Sequence, residues 1–270
     1  MARPGGPRVL HPFLEADAGR PRAIAHRGGR HGGPENTLPA FAAAVALGYR
    51  HLETDVHATL DGHLVVSHDP TLRRVAGQPG EIGRMTADEV AAVRLRDGAA
   101  LPRFEEVLAA FPDALLTVDL KVDAAVAPML RLLARRPALL ERLCLGAFAQ
   151  ARVAAVRAAH GRAACTAAAP REVLALLAAV RLGRRLRPSA ADLVAVPERW
   201  GGDGVDPVRG PRVADAGFLA RATDAGLAVH VWTVNDPDRM RRLLDLGAAG
   251  LVTDETERLR DVLVERGTWG

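Results

Sequence analysis

From Leu115 onward, short apolar runs alternate with helical segments of about ten to fifteen residues, and this alternation limits the fold more than any other feature. Strands read at Leu115–Leu120, Leu143–Ala147, Ala163–Thr166, Leu193–Val196, Ala228–Val234 and Gly250–Thr253. Helical segments read at Val122–Ala134, Ala149–Ala159, Pro170–Val180, Ala214–Ala225, Pro237–Leu246 and Glu255–Arg266. Upstream, Ala23–Ala25 and His51–Val56 are two more buried-strand candidates, separated by a helix over Thr37–Leu47 that stops at Gly48. Successive βαβ units imply a parallel sheet, and 270 residues suit a single (β/α)8 TIM barrel. A doubly wound open sheet is the alternative.

Leu64–Ser67 would be a ninth strand, returning from a hairpin at Asp61-Gly62. Because a barrel needs eight, residues 57–100 are assigned to a small insertion after the second strand, which carries His68 over the mouth of the barrel. Within it, T-A-D-E from Thr86 suggests a capping box. Residues 1–21 are expected to be a frayed tail, and residues 22–266 a single domain.

In parallel α/β folds ligands lie beyond the carboxyl ends of the strands, and the polar residues collect there. His26 and Arg27 follow the first strand, Glu53 and Asp55 lie on the second, Asp119 and Lys121 end the third. Phe148 follows the fourth, Trp232 and Asn235 the seventh, and Asp254 the eighth. Residues two apart on a strand share a face, so Glu53 and Asp55 converge. In a strand covered on both sides unpaired carboxylates are costly. Glu53, Asp55 and Asp119 therefore read as hard oxygen ligands for one divalent cation, Ca²⁺ or Mg²⁺.

His26 and His68 can exchange protons near neutral pH, and Arg27 can grip phosphate oxygens in a bidentate contact. His57 is expected to support the site. Lys121 is the single lysine among 36 basic residues. A compact ammonium retained where every other basic position is arginine points to a phosphate or to a metal-ligand carboxylate. Trp232 offers a flat wall for a small alcohol or a packing role in the core. The loop holding Gly28, Gly29, Gly32 and Gly33 can turn tightly and approach a ligand. Asn36 or Thr37 caps the following helix, with Glu35 bonding loop amides or an ion partner.

These residues stand in motifs: H-R-G at 26–28, P-E-N-T at 34–37, E-T-D-V at 53–56, H-D at 68–69, W-T-V-N at 232–235 and G-L-V-T-D at 250–254. Together, over about residues 22–263, they resemble the glycerophosphodiester phosphodiesterases. The resemblance implies a TIM barrel with a small inserted subdomain and hydrolysis of glycerophosphodiesters to glycerol 3-phosphate and an alcohol. It carries the general acid/base pair onto His26 and His68, the metal ligands onto Glu53, Asp55 and Asp119, and phosphate contacts onto Arg27 and Lys121. The family usually has glutamate where this chain has Asp119, one methylene shorter. Head-group cleavage of a lysophospholipid, or phosphate binding without catalysis, are the rival functions on the same barrel.

Composition excludes other classes. The pI near 9.9 reflects arginine usage, since the formal charge is only +4. With 4% aromatic residues there are few stacking platforms, which argues against nucleic acid as a partner. No apolar stretch reaches membrane-span length and no signal-like apolar core follows the N-terminus, so a cytoplasmic enzyme without stable membrane anchoring is expected. Cys144 and Cys165 read as buried hydrophobes. The sequence leaves the oligomeric state open.

Overall fold

Eight parallel strands form the wall of a nearly closed barrel in the computed structural model, which describes residues 10–15, 19–184, 186, 189–201 and 210–270. They are β1 (Arg22–His26), β2 (His51–Ala58), β4 (Leu115–Leu120), β5 (Leu143–Gly146), β6 (Cys165–Thr166), β7 (Leu193–Pro197), β8 (Ala228–Trp232) and β9 (Gly250–Thr253), with β3 (Leu64–Val66) outside the ring. The wall runs β6-β5-β4-β2-β1-β9-β8-β7, each neighbour parallel. Between β6 and β7 it is joined by a single bridge, Ala167 to Leu193, where Asp192 N donates to Thr166 O at 2.9 Å and Ala168 N to Leu193 O at 2.9 Å.

The sequence pattern does not reveal helix α1 (Pro12–Glu15), whereas α2 (Leu38–Ala46) and the helices around the barrel form where that pattern places them. Across the excursion run α3 (Arg73–Ala76), α4 (Ala87–Ala92) and α5 (Phe104–Ala110). Around the barrel follow α6 (Val126–Arg135), α7 (Gln150–His160), α8 (Pro170–Arg181), α9 (Ala216–Asp224), α10 (Pro237–Asp245) and α11 (Thr256–Glu265). Aliphatic side chains of the strands and the inner helix faces fill two large clusters, one around Leu52, Leu116 and Phe41, the other around Val229, Leu251 and Phe218. No helix among the described residues is long and apolar enough to cross a membrane.

Strand β3 pairs antiparallel with the end of β2, Val56 opposite Val66. The excursion beyond it has its own small core of Leu72, Ile82, Val90, Val93, Leu95 and Leu101. The capping box at Thr86 forms, with Glu89 N bonding Thr86 Oγ1 at 3.3 Å and Thr86 N bonding Glu89 Oε2 at 2.7 Å.

One expectation is corrected at the N-terminus. Residues 1–9 and 16–18 of the expected tail lie outside the described residues, but 10–15 do not fray. Helix α1 buries Phe13 and Leu14 against Leu115, Cys144, Cys165, Ala167 and Leu193. Leu115 and Leu193 open their strands, so α1 seals the floor of the barrel, opposite the mouth. A four-residue helix has no periodicity to read, which is why the sequence pattern alone does not reveal it.

Candidate active site

The carboxyl ends of β1, β2 and β4 meet in register: His26 is opposite Glu53, and Asp55 is opposite Asp119. Parallel pairing at these positions is what turns residues from three separated segments into one group.

Arg27 leaves β1 with φ of 52°, in the left-handed region that side chains other than glycine seldom adopt. The turn is held by Arg27 N donating to Glu53 O at 3.0 Å and Asn36 N donating to Arg27 O at 2.8 Å. Asn36 also has positive φ, which asparagine tolerates well, and its side chain is structural to the site. Asn36 Nδ2 donates to Asp55 Oδ2 at 3.0 Å, and Thr54 Oγ1 donates to Asn36 Oδ1 at 2.8 Å. Thr37, not Asn36, caps α2. Two of the loop glycines serve packing against that helix: a Cβ on Gly28 would fall 2.7 Å from Ala40 Cβ, and one on Gly32 would fall 2.3 Å from Ala43 Cβ, while one on Gly29 would fall 2.7 Å from Thr256 Cγ2.

The charges alternate tightly. Lys121 Nζ lies between Asp55 Oδ1 at 2.9 Å and Asp119 Oδ2 at 3.0 Å. Arg27 pairs with Asp55 Oδ2 at 3.2 Å and with Glu35 Oε1 at 3.0 Å. Glu35 is thus an ion partner, one of the two roles open to it. Burial raises the Asp55 carboxyl, but the charges of Lys121 and Arg27 and the bond from Asn36 outweigh it and leave Asp55 ionised more readily than usual. Glu53 has only weaker compensation. Burial, with the negative charge of Asp55 beside it, pushes Glu53 up to about 7. Burial also raises Asp119, whose Oδ1 is buried without a hydrogen-bond partner among the described residues.

Each histidine is tied by Nδ1 to a carboxylate. His26 donates to Asp254 Oδ1 at 2.6 Å, and His68 donates to Asp69 Oδ1 at 2.7 Å. His26 Nε2 stands 3.9 Å from Glu53 Oε2. Burial lowers the His26 pKa, while the Asp254 bond and the Glu53 charge more than offset this and leave it raised. His68 joins the group through its neighbours: His57 Nε2 donates to His68 O at 3.1 Å, two residues along β2 from Asp55. Trp232 packs against an aromatic neighbour. Its ring meets that of Phe148 edge-on at 6.4 Å, and Lys121 Nζ lies 6.0 Å from the Phe148 ring centre.

Asp254, Asn235, Asp69 and Arg74 received no role from the sequence. Asn235 Nδ2 donates to Asp254 Oδ2 at 2.8 Å, and Asn235 Oδ1 accepts from Asp254 N at 2.9 Å and Thr253 Oγ1 at 3.0 Å. The position of Asp254 and Asn235 after the last strands, at the same end as His26, was the available signal.

Among the described residues no set of three or more His, Cys, Asp or Glu side chains is drawn into metal-holding geometry, because Lys121 stands between two of the three carboxylates. The donor set nevertheless suits a hard divalent cation: three carboxylates from adjacent strands, one with an orphaned buried oxygen and one so poorly compensated that it holds a proton near neutrality.

The sequence profile described as the Glycerophosphoryl diester phosphodiesterase family matches residues 26–258. A Mycobacterium tuberculosis chain named as a glycerophosphodiester phosphodiesterase is 36% identical over 252 residues, covering 92% of each chain. A solved structure from Silicibacter pomeroyi bearing the family name superposes with a TM-score of 0.74 at 27% identity, covering 96% of this chain and 100% of the other. A phosphodiesterase from Oleispira antarctica, solved with the product sn-glycerol-3-phosphate, shares the fold at 18% identity with a TM-score of 0.72, covering 92% and 98%. With motifs, barrel topology and relatives in agreement, the chain belongs to the glycerophosphoryl diester phosphodiesterase family and is a phosphoric diester hydrolase.

Proposed function

We propose that the enzyme hydrolyses glycerophosphodiesters to glycerol 3-phosphate and an alcohol, using His26 and His68 as its acid/base pair and one divalent cation held by Glu53, Asp55 and Asp119. The observation that carries this reading is the anchoring of both imidazoles: with each Nδ1 committed to an aspartate, each Nε2 is left for proton transfer.

Arg27 and Lys121 bind the phosphate oxygens, which draw these cations from the carboxylates they pair with in the free enzyme. One histidine removes the proton from the attacking oxygen, and the other returns a proton to the departing alcohol as its bond to phosphorus breaks. Asp254 and Asp69 hold the two rings in the required tautomer. Bound at the three carboxylates, Ca²⁺ or Mg²⁺ would offset negative charge developing on the phosphoryl oxygens. Trp232 lines the side where the alcohol leaves.

The test is release of glycerol 3-phosphate from a panel of glycerophosphodiesters before and after chelation, with Ca²⁺ or Mg²⁺ restored singly. Activity lost to chelator and recovered with one ion is the expected result. No product from any diester would sink the reading. A second reading, head-group cleavage of lysophospholipids, has one observation in its favour: Phe148, beside Trp232, is 67% exposed and offers apolar surface at the mouth. Phosphorus NMR of products from both substrate types separates the two.

A further inference from the structure

Arg74, on α3 of the excursion, belongs to neither the barrel wall nor the motif residues assigned above, yet its guanidinium touches both halves of the site. Nε donates to Asp69 Oδ2 at 2.6 Å. Nη1 and Nη2 grip Glu35 as a fork, to Oε2 at 2.9 Å and Oε1 at 2.7 Å. Beyond these carboxylates lie Arg27, which donates to Glu35 Oε1 at 3.0 Å, and His68, which donates to Asp69 Oδ1 at 2.7 Å. One planar cation therefore closes an unbroken chain, Arg27–Glu35–Arg74–Asp69–His68.

We propose that Arg74 is a positioning residue that sets the phosphate-binding arginine and the acid/base histidine in fixed relation to each other. The proposal rests on the roles of Arg27 and His68 given above. The side chain of Arg74 is 48% exposed, so its ion pairs add little to folding, and such pairs keep one geometry only where several bonds share a group. Here two carboxylates share it, and each carboxylate has a second donor that it orients. Arginine alone meets this geometry: three N–H groups in one plane serve two acceptors on opposite sides, which a point-charge ammonium cannot reproduce. The excursion thereby acts on the chemistry without supplying a group that touches the substrate other than His68.

The test uses Arg74→Ala and Arg74→Lys in the full chain. With a glycerophosphodiester as substrate, the alanine variant is expected to lose about tenfold in kcat through His68 and to gain several-fold in KM through Arg27. A variant that merely folded less completely would lose kcat with KM unchanged, and that outcome would overturn the proposal. Arg74→Lys is expected to recover little, whereas millimolar guanidinium should restore part of the activity of Arg74→Ala. Full recovery in the lysine variant would overturn the planar-fork argument. An activity-independent readout is the downfield Nδ1 proton of His68 in the NMR spectrum. Its loss in Arg74→Ala, with that of His26 retained, supports the proposal even if no glycerophosphodiester is cleaved, in which case the functional reading alone fails. A His68 signal unchanged in both variants would overturn the proposal.

Discussion

Asp254 Oδ1 accepts a 2.6 Å hydrogen bond from His26 Nδ1 across 228 residues of sequence, and Asn235 holds the other oxygen of that carboxylate. The first strand and the last are neighbours in the wall, Ala25 opposite Thr253, so closing the barrel is what delivers the aspartate to the histidine. Asp254 fixes the tautomer in which His26 Nε2 can accept a proton. An asparagine there could present its amide to the ring and favour the wrong one. Asp254→Asn is expected to lower kcat about 100-fold or more with a small change in KM, a loss within the range of acid/base catalysis. Steady-state kinetics check this, and an unchanged kcat would remove Asp254 from the mechanism.

Lys121 lies in contact with two carboxylates, and its side chain is only 16% exposed. Arginine at this position needs a wider slot than the gap between Asp55 and Asp119 allows. Lys121→Arg is expected to fold and to lose about 100-fold in kcat/KM. Lys121→Met removes the charge and leaves the two carboxylates opposed, which should cost about 3 kcal/mol in urea unfolding at neutral pH. Wild-type kinetics in the arginine variant would show that the solitary lysine has no bearing on the reaction.

Helix α1 makes a separate claim about architecture. Phe13 is fully buried beneath the barrel, its ring edge-on to His51 at 5.5 Å. Phe13→Ala should cost about 3–5 kcal/mol through lost burial and the cavity left behind. Because the floor is remote from the mouth, kcat/KM of the folded variant should match the wild type. Paired unfolding and kinetic measurements test both halves of that statement.

How far the sequence discloses these features depends on whether a signal is local. The βα alternation is local, so the barrel and its strand order can be read, and the excursion at β3 follows from counting one strand too many. Glu53, Asp55, Asp119 and Lys121 are legible because a strand's period of two and the rule of carboxyl ends place them on one rim. Arg74 sits in a polar run whose pattern says only that it is exposed, and its role depends on Asp69 nearby and on Glu35, 39 residues away. Phe13 is hidden for the opposite reason, being apolar in a segment too short for any period to emerge. Asp254 could be placed at the mouth, but its pairing with His26 depends on which strands close the ring. The glycines between β1 and α2 could be seen, while the use of Gly28 and Gly32 against α2 could not.

His230 gives the molecule a pH dependence unrelated to catalysis. Its imidazole is fully buried, Nε2 has no hydrogen-bond partner among the described residues, and a Cβ on Gly250 would fall 2.8 Å from its ring. Burial, reinforced by the positive charge of Arg22 and by His51, holds its pKa well below the ordinary histidine value. The folded protein therefore keeps His230 neutral where the unfolded chain has already taken up a proton. The unfolded chain binds more protons below about pH 6.5, so the contribution of His230 is intact above that pH and is lost as pH falls, by about 1.4 kcal/mol per unit until the folded pKa is reached. His230→Gln removes the titration and keeps a side chain of similar reach. Urea unfolding at about pH 7 and pH 5 should show the wild type losing about 2 kcal/mol more than the glutamine variant across that interval. Other buried histidines such as His57, also held below its ordinary value by burial, titrate alike in both proteins and cancel in the difference. Parallel losses in the two proteins would mean that His230 is protonated in the folded state, and its burial among apolar strands would then need a compensating anion.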